Sequence, residues 1–189
     1  MERTGSLATP SSHTPDGGVL MGRADAPHRM VVFEDPQCPY CCQFEKACGE
    51  LLRSRWEAGT LAVEFRMRCF LGVESVRANN ALALAAEDNR FDELRRELFA
   101  AQPQEGTGGF TTSDLHSLGR RAGLTSDSYA SGVDEGRYDS WVRAVEESFA
   151  VQDPDGTPAA WLDGQPVDPG VLSDPGALGD LLTLNLGTK

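Results

Sequence analysis

A membrane-spanning run is missing from this sequence: no stretch approaches the roughly 20 apolar residues that crossing a bilayer requires. The start, Met1 to Gly18, is rich in Thr, Ser, Pro and Gly and lacks the basic flank and apolar centre of a signal peptide. It reads as a mobile tail over residues 1–17, and the chain as written reads as cytoplasmic; a location outside the cytoplasm requires a leader that has been removed. Basic residues are scarce, 17 Lys and Arg against 29 Asp and Glu, for a net charge of −12. Such a field repels phosphate backbones and anionic lipid, which excludes nucleic acid and membrane surfaces as expected partners. Three histidines, His13, His28 and His116, form no pair with metal-ligand spacing, and no internal repeat is visible. Five cysteines are too few and too clustered for a disulfide scaffold.

What remains describes an ordinary globular protein, 40% hydrophobic and 24% charged over 189 residues. That length suits one large domain or one domain with an insertion, and it can bury enough surface to fold without a staple. Val19–Met21 reads as a short edge strand and Met30–Glu34 as a buried one, ending at the turn signal Asp35-Pro36. A helix is expected from Pro39 to about Ala58, with Tyr40, Phe44, Ala47, Leu51 and Leu52 on one face and Gly59 as its stop. Leu61 to Phe70 alternates, Leu61, Val63, Phe65 and Met67 facing one way and Glu64, Arg66 and Arg68 the other, which predicts a strand. The order strand, helix, strand favours a parallel pair.

From about residue 73 to 150 the pattern turns helical and predicts four or five helices, interrupted at Gly106-Thr107-Gly108-Gly109. Thr112 or Ser113, and then Thr125, are expected caps; Tyr138, Trp141, Val142, Val145 and Phe149 form the best apolar stripe. Ala159–Leu162 and Gln165–Val167 flank Asp163-Gly164, a strong hairpin signal. Asp174 caps a last helix opened by Pro175, with Leu178, Leu181 and Leu182 on one face. The fold class is α/β, with core segments 18–72 and 151–189 on either side of a helical insertion at 73–150.

Three of the five cysteines, Cys38, Cys41 and Cys42, fall within five positions, and Cys38-Pro39-Tyr40-Cys41 sits where a strand hands over to a helix. Free N–H groups and the helix dipole favour a thiolate there, the form that attacks disulfides. Cys41 lies about one turn on, within reach of a disulfide with Cys38, so one thiol can attack and the other resolve. The pair could also be half of a zinc site, although structural zinc usually wants a second pair. Cys48 and Cys69 read as buried, inert thiols. Cys42 points about 100° away from Cys41 around the helix and reads as a passenger, with an alternative as second partner to Cys38.

Val31-Val32-Phe33-Glu34-Asp35-Pro36-Gln37-Cys38-Pro39-Tyr40-Cys41, the helical middle, and Gly156-Thr157-Pro158 leading into Ala159–Gly164 together resemble a DsbA-like thioredoxin-fold protein. The resemblance runs from about Gly18 to Lys189. It implies a thioredoxin-like core with a helical insertion and a thiol–disulfide oxidoreductase with Cys38 as nucleophile and Cys41 as resolving thiol. It also implies that Pro158 is cis and lies beside the pair, with Thr157 offering its backbone to an extended substrate; Pro154 is a weaker candidate for the same place. Relatives often carry a buried acid six residues before the first cysteine, where this chain has Val32. Glu34 is a substitute proton relay on that view, or else a solvated carboxylate at the strand end. No cofactor is expected, since the dithiol carries both electrons. Protein or peptide thiols and disulfides are the expected substrates, together with a redox partner of unknown identity. Two other readings share the fold: an enzyme like the kappa-class glutathione transferases, against which the paired cysteines argue, and a non-enzymatic thiol sensor or metal-binding module.

Overall fold

The computed structural model describes residues 11–149 and 156–186. Six strands, β1 (Ser11–His13), β2 (Val19–Met21), β3 (His28–Glu34), β4 (Leu61–Met67), β5 (Ala159–Leu162) and β6 (Gln165–Pro166), form one sheet in the order β1-β2-β4-β3-β5-β6. Only β3 and β4 run parallel, Met30 opposite Val63 and Val32 opposite Phe65, and the crossover between them is helix α1 (Pro39–Glu57). The insertion contributes five helices between β4 and β5: α2 (Val73–Glu87), α3 (Phe91–Ala100), α4 (Thr112–Arg121), α5 (Asp127–Glu135) and α6 (Asp139–Phe149). The chain then closes with a short α7 (Pro169–Leu172), which periodicity over four residues does not reveal, and α8 (Pro175–Leu186). The fold is a thioredoxin-like core carrying a helical insertion, as in DsbA-like proteins.

Several local expectations hold for identifiable reasons. Asp163 and Gly164 both take positive φ, 50° and 80°, the conformation a two-residue hairpin turn demands. Asp174 accepts from the N–H groups of Gly176 (2.8 Å) and Ala177 (3.2 Å), capping α8. Others shift. The α4 cap is Thr111, in a reciprocal box with Asp114, rather than Thr112 or Ser113, and α5 is capped by Ser126 rather than Thr125. Tyr40 does not join the buried stripe of α1 but stands 66% exposed; Cys41, Phe44, Cys48, Leu52 and Trp56 make that stripe instead.

Residues 11–17 correct the expected tail. Ser11–His13 pair with β2, Thr14 Oγ1 donates to Glu64 at 2.8 Å, and Asp16 meets Arg66 at 3.1 Å. Strand β4 also differs from its reading: it stops at Met67, three residues early, and its polar side is not solvent-facing. Glu64 and Arg66 are buried, tied to each other at 2.9 Å, with Arg29 also on Glu64. The Arg66 guanidinium lies over the rings of Phe33 and Phe149, at 5.6 and 5.7 Å. Phe149 of α6 and the loop residues Thr14 and Asp16 pack on that face. The side facing α1 holds Met30, Val32, Val63 and Phe65, all at most 1% exposed, and ends in Glu34.

Candidate active site

Strand β3 delivers the chain to Glu34, and the turn Asp35-Pro36-Gln37 passes it to Cys38. Cys38 is the N-cap of α1: its φ and ψ of −70° and 119° are extended, and Pro39, which has no N–H to leave unsatisfied, opens the helix. The N–H groups of Cys41 and Cys42 donate to the Cys38 carbonyl at 3.1 and 3.2 Å. Across from this turn the Thr157–Pro158 peptide bond is cis, and the Thr157 carbonyl accepts from the Cys38 thiol at 3.2 Å. The loop before β5 and the start of α1, 119 residues apart, thus meet at one sulfur. Pro154 lies outside the described residues.

The two thiols differ in kind. The Cys38 pKa is lowered to about 6, first because the Cys41 thiol donates to its sulfur, then through the Thr157 hydroxyl and the N–H groups of Cys41 and Tyr40, all against the cost of burial. Thr157 acts in two senses. Its carbonyl favours the Cys38 thiol, while its buried hydroxyl, which has no well-formed hydrogen bond, lies near both sulfurs and lowers the pKa of each. Cys41 is held well above the ordinary range, chiefly by burial, then by the hydrogen bond its thiol donates to Cys38 and by the negative charge of Glu34. All five cysteines are free thiols in this structure.

Glu34 corrects the solvated reading. It is 0% exposed, and its two carboxylate oxygens accept from Arg95 Nε and Nη2, both at 2.7 Å. Burial raises its pKa and Arg95 opposes that shift. Arg95, 1% exposed, also binds Glu45 at 2.5 Å and lies 4.2 Å from the Phe65 ring centre. The insertion therefore sends a guanidinium from α3 into the core beneath the cysteines. Nothing in the spacing of Arg95, 61 positions from Glu34, announces that pairing.

Asp35 is a second residue whose role sequence reasoning missed. It is fully buried and accepts from Ser75 Oγ (2.6 Å), Gln37 N (2.9 Å) and Leu71 N (3.3 Å). Burial pushes its pKa up to about 6. Its position beside a turn-forming Pro36 was the available signal.

Cys42 is buried on the flank of α1, donating to the Phe99 carbonyl at 3.3 Å, and it packs with Cys38, Cys41 and Phe99. Cys48 donates to the Leu172 carbonyl at 3.5 Å, and Cys69 lies apart, against Val76 and Val142. Burial pushes both of these thiols up to about 11, which makes them poor nucleophiles. Among the described residues no group of three or more His, Cys, Asp or Glu is placed to hold a metal ion, and no helix is long and apolar enough to cross a membrane.

Three exposed apolar side chains belong to the two segments that meet at the cysteine cluster, the start of α1 and residues 70–73. Tyr40, Phe70 and Val73, 66%, 48% and 52% exposed, are three of the four large hydrophobic residues exposed among the described residues. Leu71 packs against the cysteine cluster itself.

The architecture is shared with solved structures. BdbD from Bacillus subtilis superposes with a TM-score of 0.79 at 20% identity, covering 95% of this chain and 98% of its own. MdbA, a thiol-disulfide oxidoreductase from Corynebacterium diphtheriae, gives 0.80 at 20% identity over 94% and 95%. DsbA from Mycobacterium tuberculosis gives 0.74 at 22% over 95% and 93%. At these identities the likeness establishes the fold. No curated protein matches the sequence. The family model described as Thioredoxin matches residues 14–174, most of the sheet and the whole of the insertion, and the chain therefore belongs to the thioredoxin family.

Proposed function

We propose that this protein is a thiol–disulfide oxidoreductase that exchanges a Cys38–Cys41 disulfide with protein or peptide thiols. The observation that carries the reading is the asymmetry of the two sulfurs: one thiol lowered to about 6, its partner one turn away held well above the usual range. That difference defines attacking and resolving roles.

In the oxidising direction a substrate thiolate attacks Cys38 Sγ of the disulfide. The S–S bond breaks, and Cys41 leaves with the electron pair and takes a proton. A second substrate thiolate then attacks the substrate sulfur of the mixed disulfide, and Cys38 departs as a stabilised thiolate. The substrate dithiol has lost two electrons and two protons; the enzyme has gained both electrons and one proton, on Cys41, and the other proton goes to solvent. A redox partner then reoxidises the enzyme. In reverse, Cys38 attacks and Cys41 resolves.

Thr157 and Pro158 form the docking loop, where the Thr157 backbone meets an extended substrate strand. Tyr40, two residues after Cys38, and the exposed Phe70 and Val73 on either side of Leu71, which packs on the cysteine cluster, suit an extended polypeptide that carries its cysteine among apolar residues. Glu34 was a candidate proton relay. With both oxygens committed to Arg95, its role here is electrostatic: its charge keeps the proton on Cys41 until exchange requires it. The direction of net exchange follows from the potential, and with it the compartment: an oxidase works where disulfides persist, outside a reducing cytoplasm.

Equilibration with graded glutathione buffers, followed by alkylation and mass measurement, tests the function. One reversible disulfide between Cys38 and Cys41 is expected, and about 30 mV of potential is a tenfold change in its equilibrium constant. Five alkylatable thiols at every ratio of buffer would sink the proposal.

A further inference from the structure

Arg68 N still donates to the Glu34 carbonyl of β3 at 2.6 Å, but beyond it the sheet no longer holds the chain, and residues 69–72 must find other partners for their backbone groups before α2 begins. Both backbone groups of Leu71 go to the catalytic turn. Its N–H donates to Asp35 Oδ2 at 3.3 Å, and its carbonyl accepts from Gln37 Nε2 at 3.0 Å. The same Gln37 Nε2 donates to Ser75 Oγ (3.0 Å), and Gln37 Oε1 accepts from the N–H of Gly106 (3.1 Å) in the glycine-rich break. Asp35 Oδ1 takes the Ser75 hydroxyl and the Gln37 N–H, while the Asp35 carbonyl accepts from Cys38 N at 2.9 Å.

Asp35 forms no ion pair among the described residues, so its buried charge is met by three neutral donors alone. A serine or asparagine caps such a turn at lower desolvation cost. A carboxylate is the one side chain of this size that accepts from three converging donors and offers none. Those donors come from the catalytic turn, the segment after β4 and helix α2.

We propose that Asp35 is a positioning residue for substrate docking: it seats the apolar segment Phe70–Val73 beside Cys38. The role rests on the oxidoreductase reading and deepens it. Leu71, between the exposed Phe70 and Val73 in the chain, is tied at both backbone groups and packed on the cysteine cluster, so its anchoring fixes where those two side chains are presented. A protein substrate meets that surface, whereas glutathione, three residues long, needs little beyond the sulfur.

Asp35→Asn keeps the shape and reverses the polarity of one arm, so an amide N–H faces a donor. The expected result is a KM for a cysteine-containing apolar peptide raised about tenfold, about 1.4 kcal/mol and the scale of one charge-assisted hydrogen bond. Because the Asp35 charge also faces Cys38, the readout is the peptide kcat/KM divided by the glutathione exchange rate of the same variant, a ratio that should fall about tenfold. Ser75→Ala removes one donor and leaves the carboxylate; it should move the same KM by about threefold, and it carries the test if Asp35→Asn does not fold. Peptide and glutathione rates falling together, or neither changing, overturns the role. Wild-type protein that exchanges with neither probe removes the oxidoreductase reading, and this role with it.

Discussion

Arg95→Met should be among the most damaging single substitutions in this protein, although Arg95 is remote from solvent and makes no covalent chemistry. The native side chain, 1% exposed, gives two 2.7 Å hydrogen bonds to Glu34 and one to Glu45. Methionine fills much of its volume but leaves Glu34 fully buried and unpaired. Removing one partner of a buried ion pair costs about 3–5 kcal/mol, a large share of the roughly 5–15 kcal/mol that holds a domain folded. With a urea m-value of about 2 kcal/mol/M, the midpoint should fall by about 1.5–2.5 M. The double variant Glu34→Gln/Arg95→Met removes the stranded charge and should recover at least about 2 kcal/mol of that loss. Glu45 and Asp92 stay near Arg53, at 3.6 and 2.9 Å, so they should not dominate.

The deficit should also depend on pH in one direction. Burial already raises the Glu34 pKa with Arg95 present, and without it burial acts unopposed. A carboxyl whose folded pKa lies above its unfolded value is fully accommodated below the unfolded value, near 4.3, and loses stability as pH rises through the folded value. The gap between wild type and Arg95→Met should thus be smaller at pH 4–5 than at pH 8. A single-variant cost under about 1 kcal/mol, or a double variant no more stable than the single, would refute the assignment of Glu34 as a buried carboxylate held by Arg95.

Iodoacetamide alkylation of the reduced protein should show Cys38 reacting with a midpoint near pH 6, and Cys41→Ala should move that midpoint upward because the leading donor to the thiolate is gone; a midpoint at the free value of about 8.5 would remove the basis of the attacking role. Cys41→Ser should trap mixed disulfides on Cys38, while Cys42→Ser, whose thiol faces the Phe99 carbonyl, should leave turnover within about twofold and stability within about 1 kcal/mol; non-reducing electrophoresis of both variants with a peptide substrate decides, and the opposite pattern means the wrong pair has been named. Reduced protein should gain stability relative to oxidised between pH 6 and 8. A depressed thiol pKa contributes fully above the unfolded value and is lost as pH falls through the folded value, about 6 for Cys38. Urea midpoints of the two redox forms that stay parallel across that window would contradict the lowered pKa.

Much of this protein is decided within short stretches of chain. The crossover from β3 through α1 to β4, the insertion of helices, the Asp163-Gly164 hairpin and the helix opened by Pro175 are each set by periodicity and turn chemistry acting over fewer than about 20 residues. The position of Cys38 at a helix start belongs to the same class, because Pro39 and the preceding turn dictate it. The cis Thr157–Pro158 bond was legible only as part of a resemblance, since the dipeptide itself does not select that isomer.

Charged residues are where local reading failed. Glu34, Asp35, Glu64, Arg66 and Arg95 have side chains that prefer water, and nothing within their own segments argues otherwise. They are buried because partners arrive from far along the chain: Arg95 on Glu34 across 61 positions, Ser75 on Asp35 across 40 and Arg29 on Glu64 across 35. Tyr40 fails in the opposite sense, apolar and on a plausible stripe, yet left exposed where the helix N-terminus projects beyond the core. The sequence alone determined the order of the main elements, β1 and α7 apart, and the placing of Cys38 and Cys41 one turn apart at a helix start. Tertiary structure decided which charges those thiols feel, because burial and pairing are properties of the assembled interior, where low polarity makes each partner's presence or absence decisive.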